Sequence, residues 1–219
     1  MSVGLGPTAN ASPWVQNEGS LYSRLAVSSE EVNGLAATRT DIYGEYGLTD
    51  HWTITIKGEA VRFDDGSDFN NESLRITARR ALFTVSGFVG ALEGGYIEGG
   101  SLSNQNSCET VGLETRANLG WSGQAQGFTT FAFAEIAGRF HEDCERDRAE
   151  FGLGQEVSNN IWVISQAWFE RGSDKAASDK VQTELLWRAG DIDLSVGYRE
   201  EISGRFEEQS VFLAAVRRF

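Results

Sequence analysis

Residues 110–121 read TVGLETRANLGW and carry the clearest pattern of the chain. Apolar or small side chains occupy every second position from Val111 to Trp121, and the positions between them include Glu114, Arg116 and Asn118. Successive side chains of a β-strand point to opposite faces. The alternation therefore predicts a strand with one apolar face and one charged face.

The same period of two recurs on both sides of this segment. Each further segment has roughly ten residues, with aliphatic, small or aromatic side chains on one face and mainly Glu, Arg, Thr or Ser on the other. Together with residues 110–121 they predict twelve strands, the others being 20–30, 38–48, 51–63, 73–84, 88–99, 128–140, 148–157, 161–171, 180–189, 192–202 and the segment from 208 to the C-terminus.

The connections between these segments alternate in length. Every second connection is predicted to be a tight turn, at 48–50, 85–87, 122–123, 158–160 and 189–191. The connections between the tight turns are predicted to be longer, acidic loops at 31–37, 64–72, 100–109, 141–147, 173–179 and 203–207.

The composition agrees with long strands and argues against several functions. The 219 residues include 25 Gly and only 2 Pro, which favours unbroken strands over a helical or α/β enzyme. The formal charge of −13 argues against a nucleic-acid-binding protein, which needs positive charge facing phosphate. Only 3 basic residues are Lys, and Arg and Glu can pair bidentately in a confined space. The polar faces are thus expected to point inward, with a secreted β-sandwich as the alternative.

The C-terminal segment ends QSVFLAAVRRF, in which Val211, Leu213 and Ala215 alternate before the terminal Phe219. Here the chain resembles the outer-membrane β-barrels of Gram-negative bacteria, and residues 43–54, YGEYGLTDHWTI, resemble a strand-turn-strand of such porin-like barrels without identifying a subfamily. The resemblance implies an all-β fold: a transmembrane, antiparallel, up-and-down barrel of about 12 strands with short periplasmic turns and longer acidic extracellular loops. It also implies the bacterial outer membrane, with its lipid and lipopolysaccharide, and a barrel-assembly machinery that reads the strand ending at Phe219.

Aromatic residues at both ends of the apolar face support this interpretation. Eight residue steps separate Phe88 from Tyr96, roughly 27 Å along a strand at about 3.3 Å per residue. With a tilt of about 40° they span roughly 20 Å, close to the apolar band of an outer-membrane barrel. The predicted belts comprise Tyr46, Trp52, Phe88, Trp121, Phe128, Trp187 and Phe219 at the short-turn end and Tyr96, Phe140, Phe151, Phe169 and Tyr198 at the long-loop end.

The N-terminal residues suggest processing. Ala9-Asn10-Ala11 has the A-x-A pattern of a signal-peptide cleavage site. We therefore expect residues 1–11 to be the remnant of a signal peptide or a disordered tail, and residues 12–219 to form a single barrel domain. No segment of the chain is long enough for a plug domain.

The inward faces carry nearly balanced charges. Phe131, Phe133, Trp162, Ile164 and Trp168 share the inward position and are expected to narrow one side of the lumen. The residues predicted to line the lumen are Arg24, Glu45, Lys57, Glu59, Arg75, Arg79, Glu93, Glu114, Arg116, Glu135, Arg139, Glu184, Arg188 and Arg199.

Few residues suggest other chemistry. Cys108 and Cys144 fall in neighbouring loops on the oxidising side, so a disulfide between them is expected. His141 is the one candidate for a Ser–His pair, but the position two residues on is Asp143, where the outer-membrane phospholipases of twelve strands have Ser. We expect no catalytic residues, no metal and no cofactor.

The sequence leaves three functions open. The first is a small porin or channel in which ions or small polar solutes diffuse through the Arg- and Glu-lined lumen. The acidic loops would then favour cations. The second is a structural or adhesive barrel with a closed, salt-bridged lumen. The third and weakest is an outer-membrane enzyme that modifies lipid.

Overall fold

The structure, a computed structural model, describes residues 13–64, 70–99, 111–142, 144–173 and 177–219. These residues form twelve β-strands, and among them no helix is long and apolar enough to cross a membrane. The strands are β1 (Leu21–Val32), β2 (Leu35–Thr49), β3 (Trp52–Phe63), β4 (Asn71–Val85), β5 (Phe88–Gly99), β6 (Val111–Ala125), β7 (Phe128–His141), β8 (Glu145–Ser158), β9 (Ile161–Gly172), β10 (Ala177–Ala189), β11 (Ile192–Gly204) and β12 (Glu208–Arg218).

The twelve strands form one closed antiparallel barrel. Each strand pairs with its neighbours in chain order, and β12 pairs with β1 to close the sheet. We call the β1–β12 pairing the seam. Tyr22 pairs with Arg218 at one end of it and Val32 with Glu208 at the other, so the first and last strands pair over their full length. Closure removes the unpaired edges that an open sheet would expose. The predicted up-and-down barrel of about 12 strands is confirmed.

The apolar faces of the strands point outward. Leu213 on β12 and Ile136 on β7 are 66% and 65% exposed. By contrast, Ser210 on β12 and Glu135, the residue before Ile136, are buried. A water-soluble barrel would bury its aliphatic side chains and expose its glutamates. The reversed arrangement is the one a barrel has when lipid surrounds it.

The two ends of the barrel differ. One end holds both described chain termini and five two-residue turns, and we call it the turn end. The opposite end holds the longest connections, 64–70 and 100–110, and we call it the loop end. The outward aromatic residues lie near both ends, as predicted. Those at least 36% exposed are Tyr46, Trp52, Phe83, Phe88, Phe128, Trp187 and Phe219 toward the turn end and Tyr96, Phe140, Phe151, Phe169 and Tyr198 toward the loop end. Trp121, predicted in the turn-end belt, is less exposed than these.

Two predicted connections are wrong. The turn predicted at 122–123 lies inside β6, and the chain reverses instead at Gln126 and Gly127, whose φ angles are 54° and 83°. The loop predicted at 31–37 is a two-residue turn at Asn33 and Gly34, with φ angles of 51° and 80°. Positive φ at both central residues is typical of the tight hairpin turn that matches strand twist, and Asn-Gly adopts it at low cost. The extra residues extend β1, β2 and β6.

Candidate functional site in the barrel lumen

A cavity of about 440 Å³ occupies the loop-end part of the lumen. We call it the vestibule. Its walls come from strands all around the barrel, from Arg24 on β1 to Phe212 on β12, and carry many charged side chains. Its described lining also includes the aromatic residues Phe63, Trp168, Phe206 and Phe212. Many of these charged side chains belong to three networks of ion pairs.

The first network joins the strands at the seam of the barrel. Glu208 on β12 pairs with Arg199 at 3.1 Å and also with Lys180, while Glu30 on β1 accepts hydrogen bonds from Arg39 at 2.6 Å and from Arg199. Arg39 further pairs with Glu59 at 2.7 Å. We call these residues the Glu208 network. Because its members come from six strands around the β1–β12 junction, it ties the closure of the sheet to side-chain contacts.

The second network lies on β8 and β9. Arg148 donates hydrogen bonds to Glu150 at 2.6 Å and to Glu170 at 3.1 Å, and Arg146 pairs with the same Glu170 at 3.4 Å. The Arg148 guanidinium also lies 5.4 Å from the ring centre of Trp168. Two arginines thus share two glutamates at the vestibule wall.

The third network centres on Glu114, which is 1% exposed. Arg116 and Arg139 each lie 2.5 Å from one of its oxygens, and Arg75 lies at 3.4 Å. Arg116 also pairs with Glu135 at 2.5 Å. Three arginines therefore face two glutamates. Since Arg75 and Arg139 reach the vestibule and the glutamates lie behind them, this wall presents positive charge to the cavity.

A fourth network, nearer the turn end, is almost completely buried. Arg79 donates from Nε to Glu93 at 2.8 Å and from Nη1 to Glu45 at 2.9 Å. Its other Nη reaches the hydroxyl of Tyr43 at 3.4 Å. Thr77 adds a hydroxyl donor to Glu93. We call these residues the Arg79 network. The ionised groups are 5% exposed or less, so their mutual hydrogen bonds replace the water that they lost.

An apolar cluster fills the lumen beside the Arg79 network. Phe131 packs edge-on against Trp14, with ring centres 6.0 Å apart, and lies at the same distance from Trp162. Phe131, Phe133, Trp162 and Ile164 therefore narrow the lumen, as the sequence predicted, whereas Trp168, predicted with them, lies on the vestibule wall. The members of this cluster are Trp14, Val89, Phe131, Phe133, Trp162, Ile164 and Leu186.

Residues 13–20, which we call the N-terminal segment, enter the lumen from the turn end before β1 begins. Pro13 is fully buried and Trp14 is 7% exposed. The Trp14 carbonyl accepts a hydrogen bond from Arg79 at 2.9 Å, and the Gln16 amide N–H donates to Thr53 Oγ1 at 2.8 Å. The sequence did not predict this contribution. No periodic pattern marks the segment, and its eight residues are too few to resemble a plug domain.

The turn end has its own shallow depression, lined by Asn160, Arg188, Gly190, Asp193 and Arg218. It shares none of its described lining residues with the vestibule. The Arg79 network, the apolar cluster and the N-terminal segment lie in the lumen and line neither cavity, as far as the described residues show.

The structure places every predicted lumen residue on the inward side. Arg24 on β1 pairs with Glu184 on β10 at 3.4 Å, Lys57 lies 3.7 Å from Glu59, and Arg188 stacks 4.8 Å from the ring centre of Trp162. The other nine belong to the networks described above. That these residues line a path for solutes stays a prediction. The sequence also placed Glu150 and Glu170 on the inward face, where the structure has them, but it left out further inward residues, namely Glu30, Arg39, Arg146, Arg148, Lys180 and Glu208.

Several remaining predictions fall on parts of the chain that the structure leaves undescribed. The predicted signal-peptide remnant or tail at 1–11, and with it the domain boundary, lies outside the described residues. So does Cys108, and the disulfide with Cys144 stays a prediction. His141 is half-buried at the loop end of β7, where its amide N–H donates to the Cys144 carbonyl at 2.9 Å. Within the described ranges no group of His, Cys, Asp or Glu side chains is placed to hold a metal ion.

Solved structures share this fold. An outer-membrane channel from Pseudomonas putida F1 superposes with a TM-score of 0.62 at 11% identity, over 97% of this chain and 100% of the channel. The NanC porin superposes with a TM-score of 0.63 at 10% identity, over 88% and 98%. The KdgM porin in complex with disordered oligogalacturonate superposes with a TM-score of 0.62 at 6% identity, over 90% and 99%.

No protein-family model matches the chain, and no curated protein matches it either. At the identities above, the similarity to solved structures concerns the fold. The chain has the fold of Gram-negative outer-membrane β-barrels, and the structures that share it include small porins and channels.

Proposed function

We propose that this chain is a small channel of the bacterial outer membrane that passes ions or small polar solutes through its lumen. The observation that carries the proposal is the vestibule, a charged cavity of about 440 Å³ inside a closed barrel whose exterior is apolar. Hydrophobic solutes would not favour such walls, whereas hydrated polar solutes would. The shared fold with porins and channels supports transport rather than catalysis.

The proposed orientation follows from the two ends of the barrel. Short turns and both termini are typical of the periplasmic end of such barrels, and longer loops of the outer end. The vestibule would then open to the outside, and the apolar exterior would contact lipid and lipopolysaccharide. The alternating strand that ends at Phe219 remains the proposed signal for the barrel-assembly machinery.

The charge of the vestibule favours anions. Basic side chains outnumber acidic ones among its described lining residues, ten to seven. The excess arises because Arg24, Arg75 and Arg139 face the cavity while their partners Glu114 and Glu184 do not line it. A solute inside the cavity experiences these walls at shorter range than the acidic loops, which salt screens. We therefore propose an anion preference, in place of the cation preference expected from the loops.

Reversal potentials across planar lipid bilayers under a salt gradient test this proposal. Arg146→Gln removes one vestibule charge and leaves Glu170 paired with Arg148 at 3.1 Å. One unit charge at ~10 Å in water contributes about 0.4 kcal/mol, with opposite sign for a cation and for an anion, so the permeability ratio should shift roughly fourfold toward cations. The matched control is Arg171→Gln on the outward face of β9, which should leave the ratio unchanged. A cation-selective wild-type channel, or equal shifts in both variants, would contradict the proposed anion preference.

A barrel with a closed lumen is the second candidate. The observation in its favour is the set of buried contacts formed in the lumen by the Arg79 network, the apolar cluster and the N-terminal segment, which line neither cavity among the described residues. A purified barrel that migrates as folded on gels yet carries no current under any condition would favour this candidate over the channel.

A further inference from the structure

We propose that the N-terminal segment is a displaceable plug that binds in its own site in the turn-end half of the lumen and closes the channel. Trp14 is its anchor. The inference rests on the proposed channel function and adds to it the element that closes the passage.

The polar part of this site is built around a buried arginine. The Arg79 Nη1 group donates to both Glu45 Oε1 and the Trp14 carbonyl, each at 2.9 Å. The Gln16 side-chain amide donates to the same Glu45, and its backbone N–H donates to Thr53. Thr53 and Glu45 are 0% and 1% exposed. The wall thus offers a donor to the Trp14 carbonyl and acceptors to the backbone and side-chain amides of Gln16.

The apolar part of the site receives the indole ring. Trp14 lies in the cluster with Phe131 and Phe133 of β7 and Trp162 and Ile164 of β9. Aromatic and aliphatic side chains on the inward face of a water-filled channel would be exposed to water without this ring. Their presence there is explained if an apolar side chain covers them when the channel is closed.

Two glycines leave room for the segment. A Cβ atom at Gly120 would lie 2.3 Å from Pro13 Cγ and 3.1 Å from the Trp14 ring, and one at Gly47 would lie 1.9 Å from the Asn17 carbonyl oxygen. Any larger residue at these two positions would force the segment to move. The barrel wall therefore leaves space for Pro13 and Trp14 at Gly120 and for Asn17 at Gly47.

The binding mode is compatible with release. The segment belongs to no strand of the barrel, and near its junction with β1 it is tied by the hydrogen bond from Gly19 to Gly47 at 2.8 Å. When the segment leaves, Arg79 keeps its ion pairs with Glu45 and Glu93. The buried charges of the barrel wall thus remain paired whether the segment is bound or released. When Trp14 and Pro13 leave, the central lumen joins the vestibule.

The test measures steady current through full-length protein in planar bilayers. Trp14→Ala removes the anchor, and Gly120→Ala displaces the segment by collision with Pro13. Both variants should show a gain of steady current over wild type. Two controls should retain the wild-type current: Trp187→Ala, which removes an exposed Trp from the outer surface, and Gly58→Ala, where the nearest atom to a new Cβ is 4.0 Å away. Heat-modifiable gel mobility confirms that each variant is folded.

A peptide supplies an independent readout of the same site. The peptide PWVQNEGS, the sequence of residues 13–20, added on the turn-end side of Trp14→Ala channels, should reduce the current toward wild type. The same peptide with Ala in place of Trp should have no effect. Equal currents in wild type, Trp14→Ala and Gly120→Ala would overturn the plug while leaving the channel intact. Absence of current from all folded variants would overturn the channel function and the plug with it.

Discussion

Replacing Arg79 by Met should destabilise the barrel more than any replacement of an outward-facing basic residue. Arg79 is 1% exposed and makes hydrogen bonds of 2.8 Å to Glu93 and 2.9 Å to Glu45. Met has a similar length and no charge, so the substitution leaves two buried carboxylates without their cation. Removing one partner of a buried ion pair typically costs about 3–5 kcal/mol.

The hydrogen-bond partners that Glu93 and Glu45 keep determine where in this range the loss of unfolding free energy should fall. Glu93 keeps the hydroxyl of Thr77, and Glu45 keeps the hydroxyl of Tyr43 and the amide of Gln16. These neutral donors compensate a carboxylate only in part, because hydrogen bonds to a charged donor are roughly twice as strong. We expect a loss of about 4 kcal/mol in the free energy of unfolding.

Arg80→Met is the matched control. Arg80 is the next residue of β4, points outward, and lies 5.6 Å from the ring centre of Trp52. An exposed cation–π contact contributes only about 0.5–1 kcal/mol. Urea unfolding of both variants in the same lipid vesicles measures the difference. A triple variant that adds Glu45→Gln and Glu93→Gln to Arg79→Met should recover most of the loss, because no buried charge is left unpaired. If Arg79→Met and Arg80→Met unfold alike, the buried network is not the source of stability that we infer.

Three further outcomes follow from the structure. Glu208→Gln removes the carboxylate that Lys180, Arg199 and, at 3.6 Å, Arg39 share, and it should lower the free energy of unfolding by about 2 kcal/mol. Glu207→Gln at an exposed position should not change that free energy in urea titrations. Gly154→Ala should cost about 2 kcal/mol by overpacking, because the new Cβ would lie 2.1 Å from the Phe131 ring; unchanged stability would show that the ring relaxes freely. If the predicted disulfide exists, Cys144→Ser should abolish the mobility difference between reduced and non-reduced protein on gels, and a wild type without that difference would refute the pairing.

The strands and their orientation could be read from the sequence because alternation is a local property. In the strands that contain Trp121 and Leu213, the alternation of apolar and polar residues alone indicates which face contacts lipid, and no distant residue is needed. The scarcity of Lys and the abundance of Arg and Glu then indicated that the charged side faces inward. Both inferences agree with the exposed Leu213 and the buried Glu114.

Strand ends were harder to predict, for a physical reason. Positions near the loop end carry charge on the inward face and small residues on the outward face, so they resemble a polar loop. Glu30 is an example: it suggests an acidic rim in the sequence, yet it is 3% exposed and pairs with Arg39 inside the barrel. The turn at Asn33 and Gly34 did have a readable signal, since Asn-Gly is the strongest short-range indication of a hairpin.

By itself, the sequence determined that this chain forms twelve strands with a lipid-facing exterior and a charged interior, because a period of two is encoded residue by residue. Only the tertiary structure decided which charges meet. Arg24 and Glu184 lie 160 positions apart along the chain, and Arg199 and Glu30 lie 169 apart, so their contact depends on register and on closure of β1 against β12. The position of Trp14 was decided in the same way. A short segment without periodicity has no local signature, and the site that holds it exists only once the barrel has closed around it.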